Sequence, residues 1–68
     1  MSKGILTVRE KQVFELLIQN KTTKEIAEYL NISEKTVRNH ISNAMQKLGV
    51  KGRAGAVVEL LKLKEISL

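Results

Sequence analysis

Between Lys24 and Leu48 the apolar residues recur at helical spacing in two runs, KEIAEYL and EKTVRNHISNAMQKL, separated only by Asn31-Ile32-Ser33. Two helices joined by so short a turn cross steeply and pack on each other, so this stretch predicts a helix-turn-helix and constrains the rest of the chain. Successive helical residues lie about 100° apart, which brings Val37, Ile41, Ala44 and Leu48 together as the core face of the second helix. Lys35, Asn39, Ser42 and Gln46 take the opposite face, with Arg38 and Asn43 on its flanks, and none of the six is apolar. A helix that is dry on one side and rich in amide, hydroxyl and cationic groups on the other suits the major groove of a duplex, where base edges offer donors and acceptors.

The flanking sequence supplies helices to pack against this unit. Thr7-Val8-Arg9-Glu10 has the spacing of a capping box and starts a first helix over about 8–19. Its inner stripe is expected to be Val13, Leu16 and Leu17, with Phe14 and Ile18 at the edges and Asn20 at the stop. Thr22-Thr23-Lys24-Glu25 repeats the box before a second helix over about 23–30, in which small Ala27 lets the next helix approach. Ser33 caps a third helix over about 34–48, and Gly49 ends it. A fourth runs over about 53–64, with Gly55 inside it as a sign of close approach. Residues 1–5 carry no capping or periodic signal and read as a frayed start.

With no proline and helical spacing throughout, the 68 residues predict a single all-α domain of four helices. A chain this short sits near the lower limit for independent folding. The fourth helix is richer in large apolar groups than one core face needs: Val57, Val58 and Leu61 are expected on one side, with Leu60 and Leu63 off it. A homodimer interface through Val58, Leu61 and Leu63 explains the surplus, and cover by Leu6 or the 66–68 tail is the alternative. The absence of cysteine excludes disulfides and thiolate metal sites. No apolar run is long enough to span a membrane, and the first 20 residues lack a signal-peptide core, so the expected location is cytoplasmic.

The net charge of +5 is unevenly placed, since residues 33–53 hold five cations against a single carboxylate. Such a surface favours polyanions through counterion release, although charge alone fits a solvated basic face equally well. There is no Asp, no Cys and one His, so neither a catalytic constellation nor a metal cluster is indicated, and no cofactor is expected. Phe14 and Tyr29, the only aromatics, are too few for a platform that stacks single-stranded bases.

Over residues 6–58 the elements LTVRE, VFELL, TTKEIAEYLNISEKTVRNHISNAMQKLGV and KGRAGAVVEL closely resemble the DNA-binding domain of LuxR/NarL-type regulators. The resemblance implies a four-helix domain that binds double-stranded DNA through its third helix, often dimerises through its fourth, and has RNA polymerase as a possible further partner. Carried over by position, the base-reading sites fall on Arg38, Asn39 and Ser42. The sites for the DNA backbone fall on Lys35, Thr36, His40, Asn43 and Lys47. Three departures stand out: Val8 where proline is common, Asn20 where glycine is common, and Ser42 where many relatives carry a cation. A hydroxyl discriminates less than a bidentate Arg, so no relative's recognition site transfers directly. The receiver or ligand-binding domain usual in the family is missing from the 68 residues, and control is expected through abundance or a partner. The alternative is a helical protein-interaction module that keeps the fold without reading DNA.

Overall fold

A computed structural model describes residues 5–67. Its four helices are α1 (Val8–Leu17), α2 (Thr23–Leu30), α3 (Glu34–Leu48) and α4 (Arg53–Lys62), and no strand occurs among the described residues. Residues 1–4 and Leu68, and with them most of the expected frayed start, lie outside the described residues. The first three helices begin where the cap residues demand. Thr7 Oγ1 accepts the Glu10 amide at 3.1 Å while Glu10 Oε1 accepts the Thr7 amide at 2.9 Å, and Thr22 and Glu25 repeat the arrangement at the same distances. Ser33 Oγ takes the Thr36 amide at 3.0 Å.

All four helices end by one device, a left-handed residue that lets the next amide reach back five positions. Asn20, Asn31, Gly49 and Lys64 occupy that position, with φ of 68, 59, 69 and 60°. The returning bonds are Lys21 to Leu16, Ile32 to Ala27, Val50 to Met45 and Glu65 to Leu60, at 2.9–3.2 Å. These turns stop α1 at Leu17 rather than 19 and α4 at Lys62 rather than 64, because the residues between helix and left-handed cap already belong to the turn. A lysine in this conformation is strained. Its turn is followed by Ile66, which is 5% exposed and part of the core.

α3 packs against all three other helices, and α1 also meets α2. The core joins Val13, Phe14 and Leu16 of α1, Ile26 and Ala27 of α2, Val37, Ile41 and Ala44 of α3, Ala56 and Leu60 of α4, and Ile66. Two helix phases differ from the sequence expectation. In α1, Phe14 is fully buried and Leu17 only partly, because the largest apolar side chain takes the centre rather than the edge. In α4, Leu60 is fully buried beside Ala56, Val57 and Leu61 are half-buried, and Val58 faces water. Apolar groups on nearly every side of α4 left its phase undetermined by periodicity, and Ala56 and Leu60, four apart, set it on α3. Gly55 is not required by close packing, since a Cβ there would meet Val50 Cβ at an ordinary 3.5 Å.

Candidate nucleic-acid interface

The turn between α2 and α3 fixes how the third helix stands out from the domain. Asn31, at φ 59 and ψ 47°, reverses the chain, half-buried Ile32 packs against the core, and Ser33 starts α3 in an extended conformation. With Val37, Ile41 and Ala44 buried, the opposite face of α3 is left to solvent. Lys35, Arg38, Asn39, Ser42, Asn43 and Gln46 are all exposed, so the structure brings the three base-reading candidates together on one outward surface. Gln46 belongs to that surface although it has no counterpart among the carried-over sites.

Neighbours restrain some of these groups. Arg38 Nη1 lies 3.4 Å from Glu34 Oε1, one turn earlier, with both side chains about half exposed. An exposed pair of this length is worth little and leaves the guanidinium available to another acceptor. Thr36 and His40 are half-buried, and Thr36 Oγ1 is 2.9 Å from the Ser33 hydroxyl, so the cap already engages this side chain.

Lys47 has a partner that its position in the sequence did not announce. Its Nζ donates to Glu10 Oε1 at 2.7 Å, joining the last turn of α3 to the first turn of α1. Glu10 is 3% exposed and is the one buried charged residue among the described residues. Burial raises its pKa and is the largest single influence. Hydrogen bonds from Lys47 and Thr7, with the positive charge of Lys47, together outweigh burial and hold the carboxyl below its ordinary value. The capping-box reading of Glu10 covered only half its role. A signal for the other half lay in the α1 stripe, because Glu10 is four residues before Phe14 and therefore shares its inward face.

The sequence matches the bacterial regulatory proteins of the luxR family over residues 4–60. It is 75% identical to the spore germination protein GerE of Bacillus subtilis (strain 168) over 67 residues, 98% of this chain and 90% of that one. The chain belongs to the luxR family of bacterial regulatory proteins. A solved structure of the transcription factor GerE superposes with a TM-score of 0.93 at 57% identity, over 96% of this chain and 97% of that one. Two further matches are to much longer proteins. The transcriptional regulatory protein DegU of Brevibacillus brevis is 50% identical over 85% of this chain, which spans only 25% of DegU. The response regulator ChrA of a heme-sensing two-component system matches with a TM-score of 0.85 at 30% identity, over 97% of this chain and 33% of ChrA. The all-α helix-turn-helix architecture expected from the sequence is the luxR-family fold.

Proposed function

We propose that this chain, a sequence-specific DNA-binding transcription regulator of the luxR family, lays α3 in the major groove with Arg38, Asn39 and Ser42 on base edges. Lys35, Thr36, His40, Asn43 and Lys47 then meet the DNA backbone on either side. The observation that carries this reading is the exposed face of α3, where Arg38 and Asn39 stand side by side on a rigid helix whose other face is core. Arg pairs with guanine O6 and N7, and Asn pairs with adenine N6 and N7, which gives this face a vocabulary for sequence. The five cations of residues 33–53 supply the attraction to phosphate.

The likeness to a spore germination protein supports a role in the sporulation programme of a spore-forming cell, acting in the cytoplasm as a regulator rather than an enzyme. A homodimer through α4, and contact with RNA polymerase, belong to the same reading. Val58 and Leu63 are 50% and 47% exposed, which leaves apolar surface on α4 and at its C-cap after Ile66 has joined the core. Leu61 is half-buried and packs against that core.

The test is affinity for a random duplex at two salt concentrations. A protein that neutralises several phosphates loses orders of magnitude in affinity between about 50 and 200 mM salt. That loss is the expected outcome, and an affinity indifferent to salt would favour a protein-interaction module instead.

A further inference from the structure

Among the described residues, the Lys47–Glu10 contact is the one side-chain hydrogen bond between residues distant in sequence. It sits at a mechanically telling place. Both ends of α3 are capped locally, by Ser33 at the start and by the Gly49 turn at the end, and the Lys47–Glu10 bond is what joins its last turn to another helix. On the helical wheel Lys47 shares a flank of α3 with Thr36, His40 and Asn43, beside the exposed polar face. A carboxylate on this flank repels an approaching phosphate unless a cation cancels it, and Lys47 does so at 2.7 Å. Glu10 occupies one of the ammonium's three protons and leaves two for another acceptor. The Lys47 side chain keeps 36% of its surface exposed, so those protons remain reachable.

We propose that Glu10 is a positioning residue for DNA binding: it meets no DNA, but by holding Lys47 Nζ it keeps the last turn of α3 on α1 and presents the ammonium as a preset donor to one backbone phosphate. A lysine free in water gives up the rotamer freedom of its four-carbon stem when it binds phosphate, and one already held gives up less. The proposal rests on the reading of Lys47 as a phosphate contact. Electrostatics without positioning has the opposite sign, since removing a negative charge beside DNA strengthens binding.

The experiment compares the parent, Glu10→Gln, Lys47→Ala and the double variant. Each is titrated with a duplex selected by the parent from a random library and with a random-sequence duplex, across a salt series. The temperature is one at which circular dichroism shows all four fully folded, so that a merely structural role leaves affinity unmoved. Glutamine keeps an acceptor oxygen for the capping box but offers Lys47 a neutral partner in place of a charged one, which weakens its hold on the ammonium. Lys47→Ala is expected to weaken both duplexes alike by about fivefold, and Glu10→Gln to weaken both alike by a smaller factor, about two- to threefold. The double variant should bind no more weakly than Lys47→Ala, and only the variants lacking Lys47 should lose about one unit of salt slope. Tighter or unchanged binding by Glu10→Gln, or additive losses in the double variant, overturns the positioning role while leaving the phosphate contact standing. An unchanged slope in Lys47→Ala overturns the phosphate contact itself, and the proposal with it. Glu10→Asp, which keeps the charge and shortens the arm by one methylene, covers the case in which Glu10→Gln does not fold. It should show the same loss, and parent-like affinity would overturn the proposal.

Discussion

Glu10 binds two elements with a single oxygen, since Oε1 accepts both the Thr7 amide that starts α1 and the Lys47 ammonium that ends α3. Its folded pKa lies below the ordinary carboxylate value, so on acidification the unfolded chain takes up the proton first. The stability Glu10 supplies is therefore complete above the unfolded pKa of about 4.3 and is lost as pH falls through the lower, folded value. Thermal melts between about pH 6 and pH 3 should show the parent losing more stability than Glu10→Gln over the acid part of that range. Parallel curves would contradict the pairing. Lys47→Ala at neutral pH strands a buried carboxylate and should cost about 1–3 kcal/mol of stability. Assays of its DNA binding therefore need the folded fraction measured alongside. The residue scale is where the sequence was least legible. The capping box announced Glu10 as local, and a partner 37 residues away shows only when α1 and α3 are docked.

At the scale of elements the legible and illegible parts separate by the clarity of the pattern. α2 and α3 appear with the expected bounds because each has a capping residue at the start, Asn31 or Gly49 at the end and one clear apolar stripe between. α4 has no side-chain cap at Gly52 and apolar groups all round, so its existence was legible and its orientation was not. The observed phase makes Leu60, not Leu61, the anchor of α4. Leu60→Ala should destabilise the domain by about 2–5 kcal/mol, which rivals the whole stability of a chain this small. Gly55→Ala should act in the other direction, raising stability by about 1 kcal/mol, because alanine is the better helix former and its Cβ would meet Val50 at 3.5 Å without a clash. Denaturant unfolding of both variants checks the pair of signs. A Leu60→Ala variant as stable as the parent would show that α4 docks through another face.

For the whole molecule, the fold was legible because periodicity, caps and turn residues agree over most of the chain, and the family likeness rests on those same residues. The exposed face of α3 was legible for the same reason: burying Val37, Ile41 and Ala44 settles what points outward. Assembly was less so, since Ile66 takes up core volume that the tail was only one candidate to fill. Of the three residues proposed for a dimer interface, Val58 and Leu63 are the exposed ones. Val58→Lys and Leu63→Lys should leave the melting temperature near that of the parent while weakening self-association in sedimentation. A parent that stays monomeric at high concentration would remove the dimer. Leu61→Lys is a poorer probe, because it disturbs the core as well.

Selection of bound duplexes from a random library, run in parallel on the parent, Arg38→Ala and Lys47→Ala under folded conditions, tests the division of labour along α3 most directly. The parent should enrich a defined sequence, as paired half-sites about one helical turn apart, or a multiple of it, if two copies bind together. Arg38→Ala should lose preference at one or two base positions at a cost of about 1–3 kcal/mol on the best site. Lys47→Ala should keep the parent's preference and bind every duplex more weakly. No enrichment by the parent, an unchanged profile for Arg38→Ala, or an altered base preference for Lys47→Ala would contradict the roles assigned to this helix.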